Sequence, residues 1–445
     1  MQKSRYLPTL FLLVTSFFTM APSFSDSAKN FHWGVANSAF QVEGFPEKSD
    51  WQDWTHTPDK IKDKSTADKA SEFWNRYEED IQLAANLGVN SFRLSIAWDR
   101  VEKVQGHFDD SAISKYKKII LALRKKSIEP FVTLHHFVNP HWLAKDGGLL
   151  SPIFVESFKN YSQKIVQELS AAPYNVRYFF TFNEPMVLIN AGFLEGIWPP
   201  GLKDPNAALA AALNLSKAHI VTYRNIKADP NLKHLQIGIA KHWRVFEGKG
   251  LLGAPLAALS DWFFNHQILK SLTTSQIYFW MPGAKSVKED LRSEVSVNQT
   301  LDFLGINYYG RIFSEFQWKA PFVKISEGPG PKSDLGWEIY SKGLSLSLKA
   351  SSRYGVPIFV SENGVADHKD TLRSQFLKDH ITELKNSKAS GIDVRGYFHW
   401  SLTDNFEWAE GLESRFGLVE IDYEKQKRIP RPSYYEYQRL IKEGF

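Results

Sequence analysis

Short apolar runs and longer runs of helical period alternate along this chain. Residues 31–36, Phe31-His32-Trp33-Gly34-Val35-Ala36, read as a first strand, after which residues 37–43 run on into a loop at Gly44. Residues 70–87 carry helical spacing, with Phe73, Tyr77, Ile81, Ala84 and Leu87 on one face and Gly88 as the stop. The same succession recurs as strand 91–98 with helix 111–126, strand 129–137 with helix 153–170, strand 178–184 with helix 207–228, and strand 235–240 with helix 255–271. Strand 302–309 follows, then an insertion at 311–338 with several Gly and Pro, then helix 343–354. A strand beginning at Pro357 carries Glu362 and precedes helix 371–388, and strand 394–401 precedes a terminal helix at 433–442. Such alternation predicts parallel strands joined by helices. Eight units predict an α/β fold, a closed (β/α)8 TIM barrel in a single domain, with its active site at the carboxyl ends of the strands. Several runs are nearly all apolar, as strands covered on both faces should be.

Length changes this picture little. At 445 residues the chain would divide into two or three domains by size alone. Barrels routinely exceed that prior, and no linker, repeat or low-complexity tract stands out. The N-terminus does add something. Lys3 and Arg5 precede an apolar run at 7–20, and small residues follow at Ala21, Ser23, Ser25 and Ala28. That is the layout of a secretory signal peptide. It predicts a leader at 1–27, a catalytic domain at 28–445, and export to the periplasm or beyond. The apolar run is short for a membrane span, and no later segment is apolar enough for one, so no stable span is expected once the leader is removed.

Charge and cysteine content exclude several classes. The formal charge of +5 is small for this length and its Lys and Arg are scattered, so nucleic acid is not an expected partner. The absence of Cys rules out disulfides, zinc–thiolate sites and thiol nucleophiles. His135-His136 invites a metal reading, but neighbours on a strand point to opposite faces and no third ligand is apparent. No metal and no cofactor are expected. Oligomeric state is left open.

Two stretches carry the chemistry. Tyr178-Phe179-Phe180-Thr181-Phe182-Asn183-Glu184-Pro185 delivers a glutamate at a strand end, where Pro185 stops the ladder by lacking an N–H. Pro357-Ile358-Phe359-Val360-Ser361-Glu362-Asn363-Gly364 delivers another, ahead of a glycine turn. Glycoside hydrolysis needs two such carboxyls, one to attack and one to donate and recover a proton. Other polar residues recur near strand ends: Gln41, Arg93, His136, Asn183, Asn307 with Tyr309, and Glu407 with Trp408. In a closed barrel these ends converge on one mouth.

With these motifs in order, the sequence resembles the β-glucosidase family, the family 1 glycoside hydrolases. The matching stretches run from Phe31-His32-Trp33-Gly34 to Arg415-Phe416-Gly417-Leu418, essentially the whole mature chain. Thr181-Phe182-Asn183-Glu184-Pro185 resembles the acid/base motif and Ser361-Glu362-Asn363-Gly364 the nucleophile motif. Gln41-Val42-Glu43-Gly44, Leu134-His135-His136-Phe137 and Asp404-Asn405-Phe406-Glu407-Trp408 resemble the sugar-binding motifs. The resemblance implies that Glu362 is an ionised nucleophile favoured by Arg93 and Tyr309, with Asn307 also in its support, and that Glu184 is an acid/base. Partial desolvation and the Glu362 charge are expected to raise the Glu184 pKa. A retaining mechanism, which the family implies, needs the two carboxyls about 5–5.5 Å apart.

The resemblance further assigns Asn183 to the sugar 2-hydroxyl; Gln41, His136 and Glu407 to other hydroxyls; and Trp400 to the sugar ring. Trp408 would donate its indole N–H, and Trp337 would form the leaving-group platform. Structural roles stay open, with Trp400 as barrel core, His136 as a satisfied structural histidine, and Asn307 as an orienting residue. Phe137 stands where many family members have Trp, which removes an N–H donor. Glu407 argues against 6-phosphorylated sugars, because a carboxylate repels phosphate. The implied activity is that of a retaining exo-β-glycosidase releasing terminal β-D-glucosyl, and also β-D-galactosyl or β-D-fucosyl, units. A transglycosylase using the same intermediate and a non-catalytic sugar-binding protein are the alternatives.

Overall fold

In the computed structural model, which describes residues 31–445 apart from 295–296 and 319–322, eight parallel strands close into a barrel. They are β1 (His32–Ala36), β2 (Ser91–Ser95), β3 (Glu129–His135), β4 (Tyr178–Asn183), β5 (Gln236–His242), β6 (Phe303–Tyr308), β7 (Ile358–Asn363) and β8 (Val394–Trp400). Each pairs with its neighbours in sequence, and β8 pairs with β1 in register from His32 opposite Gly396 to Ala36 opposite Trp400. The expected leader at 1–27 lies outside the described residues. No helix among the described residues is long and apolar enough to cross a membrane.

The connecting helices follow the expected spacing. They are α1 (Phe73–Leu87), α2 (Asp110–Lys125), α3 (Phe154–Ser170), α4 (Pro205–Ala228), α5 (Gln267–Thr274), α6 (Lys342–Ser351), α7 (Arg373–Ala389) and α8 (Pro432–Glu443). Local chemistry sets their ends. Asp109 accepts from the backbone N–H groups of Ser111 and Ala112 at the start of α2, and Asp204 caps α4 in the same way with Pro205 in its first turn. Gly88, at φ +87°, ends α1 in the left-handed conformation.

The barrel interior is filled by rings. Phe131, Phe180, Phe303, Phe359 and Phe398 are all buried and meet largely edge to face, as in Phe180–Phe303 at 5.0 Å and Phe131–Phe398 at 4.9 Å. Small residues make the room: a Cβ on Gly305 would lie 2.6 Å from the Phe180 ring. This apolar plug fills the barrel below its mouth.

Four local expectations differ from the structure. Residues 37–43 include a short helix, Ala39–Val42, instead of a plain loop. Strand β2 stops at Ser95, and Trp98–Val101 is helical. Helix 255–271 is two helices, Gly253–Asp261 and α5, joined by a π turn at Trp262–His266. The 311–338 insertion contains strands Arg311–Phe316 and Val323–Glu327, which join Val245–Lys249 in a three-stranded sheet. That pairing partner lies far away in sequence, so local composition could not reveal it.

Candidate active site

The two glutamates stand at the carboxyl ends of β4 and β7, and each strand is irregular just before them. The β4–β5 register shifts between Phe180 and Asn183, and the β7–β6 register shifts between Val360 and Glu362. Such irregularities re-aim side chains at a barrel rim. Glu184 has φ +42° and ψ +55°, a left-handed conformation costly for a non-glycine residue, on the order of 1–3 kcal/mol. Pro185 follows and disfavours the ordinary right-handed helical conformation at Glu184. The Glu184 N–H bonds to the Ala240 carbonyl at 2.7 Å, and a helix starts at Pro185. Strain here is held by two anchors and points the carboxyl into the mouth.

A cavity of about 280 Å³ opens at this end of the barrel, and Glu184 and Glu362 both line it. Arg93 donates to Glu362 Oε1, and Tyr309 donates to Oε2 at 2.7 Å. The other Arg93 branch donates to Asn183 Oδ1 at 2.7 Å. Asn307 donates from Nδ2 to Asn183 Oδ1 at 3.1 Å and to Glu184 Oε1 at 2.8 Å, while its own Oδ1 accepts from Ser361 at 2.6 Å. Arg93, Asn183 and Asn307 thus join the two carboxyls through one chain of hydrogen bonds. Asn307, expected to support the nucleophile, instead donates to Glu184, because its amide nitrogen at the end of β6 turns toward the β4 glutamate.

The other expected residues converge on the same cavity: Gln41, His136, Trp337, Trp400, Glu407 and Trp408 all line it, together with Phe137. The Asn183 carbonyl oxygen already takes two donors, so its amide faces His136 Nε2, 3.0 Å away. His136 therefore accepts at Nε2 and carries its hydrogen on Nδ1, a buried nitrogen with no hydrogen bond to the protein. The ring of His136 also lines the cavity. His135 faces the other way, against Trp98, Phe158 and Phe182. Trp400 belongs to the interior ring cluster and also lines the cavity.

Gln41 donates to Asn405 at 2.9 Å and lies 3.3 Å from Glu407 Oε2. The loop bearing Glu407 is held by buried Asp404, which takes Arg431 and the backbone N–H of Gly417 and Ile421. Trp337 meets the edge of Tyr309 at 5.8 Å. Its neighbour Glu338 is clamped by two 2.8 Å hydrogen bonds from Arg311, which fixes the insertion against the cavity. Among the described residues no group of His, Asp and Glu is arranged to hold a metal ion.

Sequence reasoning missed part of the wall: His242, Arg244, Phe264, Val187 and Trp198 also line the cavity. His242 ends β5, and its Nδ1 lies 3.1 Å from Glu184 Oε1. A signal existed, since strand five was the one barrel strand with no polar candidate at its end. Lys241 hid it by breaking the apolar run. That lysine is fully buried, lies over the Phe264 ring at 4.3 Å and donates to the His242 carbonyl.

The match to known proteins agrees with this geometry. Residues 25–445 match the family described as Glycosyl hydrolase family 1. The chain belongs to glycosyl hydrolase family 1. It is 33% identical to Beta-glucosidase A of Thermotoga maritima, over 93% of this chain and 97% of that protein. It is 29% identical to a protein named Beta-galactosidase from Pyrococcus woesei, over 91% and 94% respectively. The solved structure of a beta-glycosidase from Pyrococcus horikoshii superposes with a TM-score of 0.84 at 33% identity, covering 93% of this chain and 94% of that one. The protein is accordingly a glycoside hydrolase of the β-glucosidase type, with the (β/α)8 fold of its family.

The electrostatics of this family 1 site differ from the sequence expectation. Burial raises the Glu362 carboxyl to about 7; Arg93 draws it back, the Glu184 charge adds to the rise, and Tyr309 lowers it. Glu184 moves the other way. Burial pushes it up, but the His242 ring and the Asn307 amide bring it below its ordinary range. Both donate to Oε1: Arg244 donates to His242 Nε2 at 3.3 Å, which leaves the imidazole hydrogen on Nδ1, facing Glu184. A transferable proton on Glu184 must therefore sit on Oε2. These directions place the higher pKa on Glu362, the reverse of the order needed for attack. A bound glycoside would shift that order, because its glycosidic oxygen can only accept from Glu184 and a sugar hydroxyl can donate to Glu362.

A pH dependence follows. A raised carboxyl pKa means Glu362 loses its charge as pH falls through about 7 in the free enzyme. The acid limb of kcat/KM is expected near 7, and that of kcat at lower pH, with both limbs belonging to the coupled pair. Profiles on a neutral aryl β-glucoside check this. An acid limb in kcat/KM at the ordinary glutamate value would contradict it.

Proposed function

We propose that this family 1 enzyme is an exo-acting retaining β-glycosidase that releases terminal β-D-glucosyl units and accepts β-D-galactosyl and β-D-fucosyl units, with Glu362 as nucleophile and Glu184 as acid/base. The observation that carries the reading is the asymmetry of the pair. Glu362 alone receives a guanidinium and a phenol, the donors that suit the carboxylate that attacks. Glu184 receives an amide and an imidazole on one oxygen only.

In the first step a Glu362 oxygen bonds to the anomeric carbon, the glycosidic C–O bond breaks, and the Glu184 Oε2 proton goes to the leaving oxygen. In the second, Glu184 takes a proton from water, the hydroxide attacks the anomeric carbon, and the Glu362 ester bond breaks. Two displacements retain the β configuration. Loss of the Glu362 charge in the intermediate removes a repulsion and lets Glu184 ionise, which suits it to act as base. Gln41, His136, Asn183 and Glu407 would hold the hydroxyls, Trp400 the ring face, Trp408 a further hydroxyl through its indole N–H, and Trp337 the leaving group.

Enclosure of its carboxyl raises Glu407 to about 8, with the Glu362 and Glu184 charges adding to the rise. Near neutral pH it can therefore both donate and accept, which suits the paired O4 and O6 hydroxyls of a neutral hexose. Glu407→Ser is expected to lower kcat/KM for β-glucosides by roughly 10–100-fold, the worth of one or two buried hydrogen bonds. An unchanged value would remove Glu407 from that role. A panel of aryl β-glycosides followed by natural disaccharides tests the activity. Turnover of the β-glucoside with none of its α-anomer is expected, and no β-glucoside turnover would overturn the reading. An exported location, read from residues 1–27, is part of the same proposal, and a loss of secretion on deleting them would support it.

A further inference from the structure

We propose that Arg244 forms a binding site for an acidic group on the leaving portion of the substrate, so that β-glycosides of aromatic acids are preferred over their neutral counterparts. The proposal rests on the glycosidase reading and specifies its leaving-group side.

Arg244 lines the catalytic cavity beside His242, Phe264 and Trp337. Its backbone is fixed on both sides, because Asn265 accepts from its N–H at 3.3 Å and donates to its carbonyl at 2.7 Å. The guanidinium lies over the Phe264 ring at 5.2 Å. Its Nε donates to His242 Nε2 at 3.3 Å. A guanidinium carries five N–H donors in a planar fork. The other four meet no protein acceptor among the described residues.

The Glu184, Glu195 and Glu327 carboxylates attract the Arg244 charge without making an ion-pair contact with it. Glu247 and Glu338 pair with Arg311. Glu327 accepts from the Glu338 N–H at 2.8 Å, and Glu195 accepts from Asn190 at 2.6 Å. Among the described residues none forms an ion pair with Arg244. Partial enclosure makes that charge costly, and burial lowers its pKa from the ordinary arginine value. A fixed, incompletely paired guanidinium on a cavity wall is suited to grip a carboxylate with two parallel hydrogen bonds.

The cavity lining selects the chemistry of the rest of the aglycone. Phe264 and Trp337 line the cavity beside Arg244, so an aromatic ring carrying the acid is the group that suits this wall. The flanking Phe264 and Trp337 rings would contact such a ring.

The test uses the full enzyme, its Arg244→Met variant and its Arg244→Lys variant. Each is assayed for kcat/KM on 4-carboxyphenyl β-D-glucoside and on the methyl ester of that glucoside. The difference in leaving-group acidity between the two substrates is the same for every variant and drops out when their acid-to-ester ratios are compared. The acid-to-ester ratio is expected to fall roughly 10–100-fold in Arg244→Met, chiefly through KM, and less in Arg244→Lys. Added salt should lower the native ratio toward that of Arg244→Met. Ester turnover by the same preparations reports that the variants are folded. An acid-to-ester ratio unchanged by Arg244→Met would overturn the inference while leaving the glycosidase reading intact. Failure of the native protein to hydrolyse either glucoside would overturn both.

Discussion

Glu362→Ala is expected to lose turnover of β-glucosides by on the order of 10⁴–10⁶-fold, the scale of removing a nucleophile. The size of the loss follows from how completely the surroundings serve this one carboxylate. Arg93 is fully buried and spends one branch on Glu362, and Tyr309 gives it the phenolic hydrogen. With the carboxylate gone, both donors face a void and the anomeric carbon has no attacking atom. The void predicts its own remedy. A small anion such as azide or formate should be drawn to Arg93, attack from that side, and yield an α-glycosyl product by single displacement. Steady-state rates with and without azide, with product stereochemistry by NMR, check both parts. Substantial residual activity without added anion would remove Glu362 as nucleophile.

The second large effect is expected at Glu184, and it depends on the substrate. Glu184→Gln keeps the shape of the site: the amide oxygen can take the place of Oε1 and accept from Asn307 and His242, with the amide nitrogen where the proton is carried. What is lost is proton transfer, worth about 10²–10⁴-fold. Natural disaccharides, whose leaving alkoxide must be protonated, should lose that full factor. Activated aryl glucosides such as the 2,4-dinitrophenyl compound need little protonation and should lose far less in the first step. Rates across a series of leaving groups give the comparison, and equal losses throughout would contradict the assignment.

Much of this arrangement was legible in the chain because a closed barrel turns a one-dimensional pattern into a site. Once eight apolar runs are recognised, the polar residues at their ends must share a mouth. Gln41, Arg93, His136, Asn183, Glu184, Asn307, Tyr309 and Glu362 were found in that way, and all but Arg93 and Asn307, which act from beneath, line the cavity. Pro185 even marked the place where β4 stops. His242 and Arg244 escaped because Lys241, buried against Phe264, resembles the end of a strand when read as sequence. The proton arrangement of the carboxyl pair escaped for a deeper reason. It is set by donors from β5 and β6 meeting one oxygen of Glu184, and no local pattern records which oxygen two distant side chains will reach. The sheet that braces Trp337 joins segments some seventy residues apart and was hidden likewise.

The most direct measurement is to capture the covalent sugar. A 2-deoxy-2-fluoro-β-glucoside with a good leaving group slows the second displacement more than the first, so the intermediate should accumulate. Digestion and mass spectrometry are then expected to find one fluoroglucosyl increment on the peptide containing Glu362, lost on prolonged incubation as activity returns. A sugar found on any other residue, or turnover of the reagent with no adduct and an inverted first product, would contradict the account.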